Sequence, residues 1–243
     1  MTKLLEVQGV TKKFGGLVAL NDLSFYVEEG EVLGLMGPNG SGKTTIFNTI
    51  MGDFPPDSGR ILFKGEDITK LPTYHRVRMG IARTYQVPRP LKEVTIFDDV
   101  RVSTVSPSII RCLTGKVTAH DAVIKKILED VGLSGRFSMY PHELTMGDLR
   151  RVELAKALAT NPRIVLLDEI FAGLTVAEIE EIDKLLRRKR EQEGLDFVVV
   201  SHDLKALAPL VDRVVVIDFG QFIAEGPFDQ IVNDEKVKEA YFG

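Results

Sequence analysis

One eight-residue segment of the chain has the residue types and the spacing of a phosphate-binding loop. It fits the pattern G-x-x-x-x-G-K-[ST], and its members are Gly37, Pro38, Asn39, Gly40, Ser41, Gly42, Lys43 and Thr44. Because glycine adopts backbone angles that other residues resist, the backbone can wrap closely around an anion. Successive N–H groups then point inward, and the following helix presents its positive end to the phosphates. The pattern predicts that Lys43 reaches the β- and γ-phosphates of a nucleotide and that the Thr44 hydroxyl ligates Mg²⁺.

The residues on either side of this segment have the order strand, loop, helix that the pattern requires. Residues 32–36 form an apolar run typical of a buried strand, and residues 45–51 place apolar side chains at helical spacing. Glycine-rich turns followed by lysine and threonine also occur by chance, but not usually in this context. We therefore expect the chain to bind a nucleotide.

A second candidate site lies where an apolar run, residues 164–167, ends in Asp168 and Glu169. Ligands of open α/β sheets bind at the carboxyl ends of the strands, so Asp168 is placed to hold Mg²⁺ or its water. Glu169 is placed to orient and deprotonate an attacking water. The alternative is a solvated acidic turn, which the upstream phosphate loop makes the weaker interpretation. His202 follows another apolar run and is either a γ-phosphate contact or a structural histidine.

Composition narrows the class of protein. The chain has 243 residues, of which 44% are hydrophobic and 27% charged, as in an ordinary soluble globular protein. Its net charge of −4 provides no basic field, so we expect no nucleic-acid partner. Cys112 is the only cysteine, which excludes an internal disulfide and favours a reducing compartment. We find neither a signal-peptide core nor an apolar run near the roughly 20 residues that span a bilayer.

The remaining hydrophobic pattern predicts the architecture. Apolar runs at 164–167, 197–200 and 214–217 are continuous, which is typical of strands covered on both faces in a parallel sheet. Helical patterns lie between them, notably at 152–158 and 179–186. Short apolar runs at 4–7 and 23–27, with a hairpin-like stretch at 58–65, predict an antiparallel β-subdomain. Residues from 86 to 138 lack strong strand runs and contain capping-box patterns at Thr95-x-x-Asp98 and Thr118-x-x-Asp121.

A helix start at residues 144–148 completes a set of motifs that resembles the ATP-binding cassettes, the motor subunits of ABC transporters. These residues match the family signature L-S-G-G-Q with substitutions. The resemblance covers essentially the whole chain, with the motifs in family order. The other motifs that carry it are the aromatic A-loop at Phe14, the Q-loop at Gln86, the Walker B pair Asp168 and Glu169, the D-loop at residues 172–175 and the switch histidine His202.

The resemblance implies a single domain over residues 1–243, an α/β P-loop NTPase cassette with a parallel core sheet, an antiparallel β-subdomain and a helical insertion at about 86–160. It implies ATP and Mg²⁺ as cofactors and two cassettes that sandwich two ATP molecules head to tail. The implied catalytic residues are Lys43, Gln86, Glu169 and His202, and the implied metal ligands are Thr44, Gln86 and Asp168. Nucleotide contacts are implied for Phe14, the loop 37–44, Thr45 and, across the dimer, Leu144, Thr145, Gly147 and Asp148.

Some residues depart from the family pattern. Met146 replaces the first signature glycine and Asp148 replaces the glutamine, while Thr145-x-x-Asp148 also reads as a capping box. The carboxylate of Asp148 would oppose the attraction of the helix end for phosphate. Ile170 stands where the family usually has proline, and Thr175 replaces the asparagine or aspartate of the D-loop but begins a capping box with Glu178.

Four segments look like the ATPases of branched-chain amino-acid importers: residues 37–48, 80–86 and 172–174, and the last seven residues. The implied partners are two permease subunits, a second cassette that makes a homo- or heterodimer, and indirectly a substrate-binding protein. The implied location is cytoplasmic, on the inner face of the cell membrane. We expect the permease to dock on residues 87–102. Lipopolysaccharide-export cassettes and urea or amide importers share much of this pattern and are alternative subfamilies. Two alternatives of another class also stay open: a soluble ABC ATPase that acts on ribosomes or DNA, and a nucleotide sensor without turnover.

Overall fold

The structure is a computed structural model that describes residues 2–104 and 117–242, with side chains over 2–104 and 121–241. Cys112 and the side chain of Thr118, with its predicted capping box, lie outside the described residues. The strands are β1 (Lys3–Phe14), β2 (Leu17–Glu28), β3 (Val32–Met36), β4 (Ser58–Phe63), β5 (Glu66–Asp67), β6 (Ile81–Arg83), β7 (Ile164–Asp168), β8 (Asp196–Val200), β9 (Arg213–Asp218) and β10 (Gln221–Gly226).

The helices alternate with the strands of the core. They are α1 (Lys43–Met51), α2 (Thr73–Met79), α3 (Ile96–Ser103), α4 (Val117–Asp130), α5 (Met146–Ala159), α6 (Val176–Glu193), α7 (Leu204–Leu207), α8 (Phe228–Ile231) and α9 (Glu235–Phe242), with a 3₁₀ turn at Pro141–Glu143. Within the described ranges, no helix is both long and apolar enough to cross a bilayer.

Six strands form the core sheet in the order β10-β9-β3-β8-β7-β6. The pairs between β9 and β6 are parallel, and β10 alone pairs antiparallel, with β9. Every residue of β3, β7 and β8 is buried, because helices or the second sheet cover both faces. The continuous apolar runs of the sequence therefore become the central parallel strands, as predicted.

The second sheet is antiparallel, in the order β2-β1-β4-β5, which confirms the predicted β-subdomain. Its first two strands are 12 residues each and extend beyond the apolar runs at 4–7 and 23–27. Buried side chains continue past those runs at Val10 and Leu20, and pairing continues through irregular registers.

Between β6 and β7 the described elements are α3, α4, the 3₁₀ turn and α5, so the chain is helical where the insertion was predicted. Threonines precede α3 and α5 as their capping residues, as expected. Thr95 accepts a hydrogen bond from the Asp98 N–H at the start of α3. Complete capping boxes begin α5, between Thr145 and Asp148, and α6, between Thr175 and Glu178. Both orient the loops that precede them.

Candidate nucleotide site

The phosphate loop connects the buried strand β3 to the start of α1. Gly37, Gly40 and Gly42 have φ of 154°, 83° and 106°, in the region that favours glycine. A Cβ on Gly37 would lie 2.1 Å from the Ile217 carbonyl oxygen, and one on Gly42 would lie 2.8 Å from the Ala19 carbonyl oxygen. These two glycines are therefore required by close backbone packing as well as by their dihedral angles.

Lys43 lies against the inner side of this loop. Its Nζ donates to the carbonyl oxygens of Gly37 at 2.7 Å and Pro38 at 2.8 Å. Burial lowers the pKa of Lys43, and the carboxylates of Glu169 and Asp168 act in the opposite direction. The cation is therefore held beside the loop by backbone oxygens and lies within electrostatic reach of both carboxylates.

The loop forms one wall of a cleft of about 360 Å³. Predicted site residues from four different parts of the chain line it: Asn39, Gly40, Gly42, Lys43, Thr44, Thr45, Gln86, Asp168, Glu169 and His202. The cleft is also lined by the apolar residues Leu17, Val18, Ala19 and Phe219. It thus combines polar groups from the loop and the carboxylates with apolar side chains from β2 and the β9–β10 turn.

Asp168 is buried at the end of β7 and is held by the neighbouring strand β6. Arg83 Nη2 donates to Asp168 Oδ2 at 2.7 Å, and the Asp168 N–H donates to Thr84 Oγ1 at 3.1 Å. The ion pair with Arg83 is almost fully buried on both sides. Sequence reasoning missed Arg83, although a charged residue at the end of a buried apolar strand is a signal that could have found it.

Glu169 adopts a backbone conformation that is unusual for a residue with a side chain, with φ of 53°. Such residues cost about 1–3 kcal/mol and persist where surrounding contacts determine them. Here the Glu169 N–H donates to the Val200 carbonyl oxygen at 3.0 Å, and its own carbonyl accepts a hydrogen bond from Arg150 on α5. Ile170, in the place of the family's proline, is buried in the core behind it.

The Glu169 carboxylate faces His202. Oε2 accepts a hydrogen bond from the His202 backbone N–H at 3.3 Å, and Oε1 lies 3.3 Å from His202 Nε2 without the alignment of a hydrogen bond. Burial raises the pKa of Glu169, and His202 opposes that shift. A buried carboxylate with a raised pKa and one oxygen without a hydrogen bond in the described residues can accept a proton from a nearby water.

Phe14 is not among the residues that line the cleft. Its ring packs edge-on against Phe54, with centroids 5.1 Å apart, and Phe14 is opposite the cleft residue Leu17 in the β1–β2 ladder. Phe219, which sequence reasoning missed, lines the cleft instead and is 82% exposed with φ of 44°. Only its place before a turn glycine, Gly220, marks it in the sequence.

The signature residues lie at the start of α5, outside the cleft of their own chain. Thr145 and Asp148 form the predicted capping box, with Asp148 N to Thr145 Oγ1 at 3.1 Å and Thr145 N to Asp148 Oδ2 at 3.3 Å. Asp148 is buried and is also paired with Arg136. Gly147 lies against Leu174 of the D-loop, so that a Cβ there would be 3.1 Å from Leu174 Cδ2. Leu144 packs on the core.

Comparisons with known proteins agree with this geometry. A family profile described as "ABC transporter" matches residues 20–172, and one described as "Branched-chain amino acid ATP-binding cassette transporter" matches residues 223–243. The high-affinity branched-chain amino acid transport ATP-binding protein BraF of Pseudomonas aeruginosa is 35% identical over 99% of this chain and 98% of its own. The lipopolysaccharide export system ATP-binding protein LptB of Acidithiobacillus ferridurans is 33% identical over 100% of this chain and 98% of its own.

Solved structures show the same fold. The ADP conformation of an ATP-binding cassette of an ABC transporter superposes with a TM-score of 0.88, at 32% identity over 100% of both chains. A dimeric post-hydrolysis state of another cassette, bound to ADP and Pi, gives a TM-score of 0.79 at 26% identity, covering 92% of this chain and 98% of that one. The chain therefore belongs to the ATP-binding cassette family and is the ATP-binding subunit of an ABC transporter, one of a class of ATPases that dimerise and work with membrane permeases.

Proposed function

We propose that the chain hydrolyses Mg²⁺-bound ATP to drive the import of a branched-chain or similar hydrophobic amino acid. The observation that carries the hydrolytic part is the meeting of Lys43, Asp168, Glu169 and His202 in one cleft with the phosphate loop. The substrate class is supported by the names of the relatives and by the family match at residues 223–243.

ATP would lie along the cleft with its phosphates on the loop. N–H groups of the loop and the start of α1 would point toward an anion there, and Lys43 would add a positive charge. The base would then lie toward Leu17 and Val18. Phe14 is next to Leu17 in the ladder, and it would stack on the base after its ring turns away from Phe54.

The donor set fits Mg²⁺. The Thr44 hydroxyl, the Gln86 amide oxygen and the Asp168 carboxylate are hard oxygen ligands, and all three residues line the cleft. In the parts of the chain that the structure describes, no group of three or more His, Cys, Asp or Glu residues could hold a metal alone. Magnesium typically keeps waters and binds through one or two carboxylates together with substrate phosphates. Bound there, it would neutralise charge on the phosphates.

Glu169 would act as the general base. Its buried carboxylate would accept the proton of the attacking water, and the raised pKa brings it nearer to the working pH. His202, beside it, would contact the γ-phosphate and orient it. Lys43 would stabilise the charge on the transferred phosphoryl group, and Gln86 would link the metal site to the insertion.

A second cassette would complete each site. Leu144, Thr145, Gly147 and the start of α5 would face the ATP bound to the partner, because these residues lie outside the cleft of their own chain. The N–H groups at the start of a helix attract phosphate. Asp148 would cap α5 and, paired with Arg136, would also place a carboxylate close to the phosphates of the partner's ATP. The chain would work as a homodimer or with a related cassette.

The permease would dock on the segment after Gln86. Val87 is 68% exposed and Leu91 is 46% exposed, which fits a partner helix laid against them. The backbone between them is fixed to α5: the Arg89 N–H donates to Glu153 Oε1 at 3.0 Å, and Lys156 Nζ donates to the Arg89 carbonyl oxygen at 3.0 Å. Docking would place the chain on the cytoplasmic face of the membrane, with an external binding protein as an indirect partner.

Two measurements test this proposal. The purified chain should release phosphate from ATP, and EDTA should stop the release. A strain that lacks the gene should lose uptake of labelled leucine, isoleucine or valine, and the wild-type chain, but not Glu169→Gln, should restore it. Normal uptake with defective lipopolysaccharide transport would favour the export cassette that the 33% identical relative represents. Loss of urea or amide uptake, with normal amino-acid uptake, would favour a urea or amide importer.

A further inference from the structure

The last helix, α9, ends beside the first residue of the phosphate loop. The Tyr241 hydroxyl oxygen accepts a hydrogen bond from the Gly37 N–H at 2.8 Å, although the two residues are 204 positions apart. Val237 and Tyr241, one helical turn apart, both pack on the core cluster that contains Met36, the last residue of β3. The helix is thus seated on the core and brings one hydroxyl to the loop.

Gly37 is a position where a small displacement affects the whole loop. A Cβ there would lie 2.1 Å from the Ile217 carbonyl oxygen and 2.6 Å from Ser41 Oγ, so the backbone is already in close contact on that side. Its carbonyl oxygen accepts a hydrogen bond from Lys43 Nζ at 2.7 Å. The two polar backbone groups of Gly37 therefore connect Tyr241 to Lys43.

The surroundings of Tyr241 keep its hydroxyl neutral at physiological pH. Burial raises the pKa of Tyr241, the Gly37 N–H opposes that shift, and the Glu169 carboxylate adds to it. A neutral phenol is the form whose oxygen accepts a hydrogen bond while its proton stays in place.

We propose that Tyr241 is a positioning residue for nucleotide binding: it holds the first peptide of the phosphate loop so that the following N–H groups face the nucleotide. The inference rests on the proposed ATPase function. The loop contacts the phosphates of the substrate and of the transition state alike, so loss of this hydrogen bond removes uniform binding. It therefore raises KM and leaves kcat nearly unchanged. The affinity for ADP, whose phosphates bind the same loop, decreases by a similar factor.

The test compares Tyr241→Phe with Tyr74→Phe, which removes the hydroxyl of an exposed tyrosine on α2. For Tyr241→Phe we expect the KM for ATP and the Kd for ADP to rise roughly three- to tenfold, the effect of one net hydrogen bond, with kcat within about twofold. Hydrogen exchange at the Gly37 amide should accelerate. Tyr74→Phe should match the wild type in every measurement.

Three outcomes would overturn the inference: unchanged affinities for ATP and ADP in Tyr241→Phe, a fall in kcat at constant KM, or a lower Tm with unchanged affinity and unchanged Gly37 exchange. If Tyr241→Phe unfolds at the assay temperature, exchange and ADP binding at a lower temperature decide between the same alternatives. A wild-type chain that neither binds nor hydrolyses ATP would instead contradict the proposed function.

Discussion

Replacing Asp148 with asparagine should strengthen the ATP-driven dimer, whereas replacing its ion-pair partner should weaken it. Asp148 is 6% exposed in the first turn of α5 and is paired with Arg136, whose side chain is 44% exposed. Removal of the carboxylate leaves the Arg136 cation and the positive end of the helix facing the proposed phosphate position. Removal of the cation by Arg136→Gln leaves a negative charge in the same place.

The size of the effect follows from the position of the carboxylate. A charge at a helix end is worth roughly 0.3–1 kcal/mol when exposed and about 2 kcal/mol when partly buried. Since Asp148 is buried but its charge is partly neutralised by Arg136, we take an intermediate value of about 1 kcal/mol at each site, a factor of about five in affinity. A symmetric dimer contains two such sites, so its dissociation constant should fall by roughly 25-fold. In a heterodimer with one variant chain, the change should be about fivefold.

The weaker helix cap in Asp148→Asn should lower the stability of the folded chain but not its affinity for the partner cassette. Asparagine keeps an oxygen that can accept from the Thr145 N–H, so the capping box is weakened rather than lost. The free energy of unfolding should decrease by about 0.5–1.5 kcal/mol, because one charged hydrogen bond to a half-exposed arginine is removed. Urea unfolding of the nucleotide-free monomer measures this loss of stability separately from dimerisation.

The assay is sedimentation of the chain with ATP in the Glu169→Gln background, at low and high salt, with and without each second substitution. The charge argument requires opposite shifts for Asp148→Asn and Arg136→Gln, and smaller shifts in high salt. If both variants weaken the dimer, the pair serves to hold the start of α5 and its charge is unimportant. A gain that does not change with salt would also refute the electrostatic reasoning.

Three further predictions concern other parts of the chain. Glu169→Gln should reduce the rate of phosphate release by a factor of about 10²–10⁴, and an ATP-bound dimer should accumulate and be detected by gel filtration. Turnover at the wild-type rate would contradict the role of Glu169 as general base. Val87→Glu or Leu91→Asp should preserve the ATPase rate of the isolated chain but reduce permease binding and uptake, whereas normal complex assembly would place docking elsewhere. Burial raises the pKa of Asp196 from 3.8 to about 6, so its charged form destabilises the fold and stability is lost as the pH rises through that range. The free energy of unfolding of Asp196→Asn, relative to that of the wild type, should therefore increase by about 3 kcal/mol from below pH 4 to above pH 6. Roughly half of this increase should fall between pH 5 and 7.5. If urea unfolding gives the same difference between the two proteins at every pH, the raised pKa is wrong.

Features encoded within one short stretch of sequence were predictable. Continuous apolar runs became β3, β7, β8 and β9, because a strand buried on both faces cannot alternate. The helix starts at Thr95, Thr145 and Thr175 were also predictable, since a capping residue acts on N–H groups two or three positions away. The lengths of β1 and β2 were not, because the parts of these strands outside the short apolar runs pair through irregular registers that leave no periodic signal.

The contacts that sequence reasoning missed join residues far apart in the chain. Arg83 meets Asp168 across 85 positions, because β6 and β7 are neighbours at one edge of the core sheet. Arg150 reaches the Glu169 carbonyl from α5, and Tyr241 reaches Gly37 from α9. Each partner is set by the strand order and the helix packing, which single-residue patterns do not contain. The motifs indicated ten of the residues that line the cleft, but not Phe219 and not the contacts that hold the site in place.

The contacts of Arg83 and Arg150 connect the carboxylates of the candidate site to the segment that follows Gln86. Arg83 lies three residues before Gln86, and its guanidinium is 5.2 Å from the centroid of the Tyr85 ring. The opposite side of the site is reached by Arg150, which lies on the same helix as Glu153 and Lys156, the residues that fix the backbone of Arg89. A displacement of the segment after Gln86 therefore has two physical routes to the carboxylates, through β6 to Asp168 and through α5 to Glu169. The same helix begins with the signature residues, so a permease that moves this segment would act on both halves of the proposed dimeric site at once.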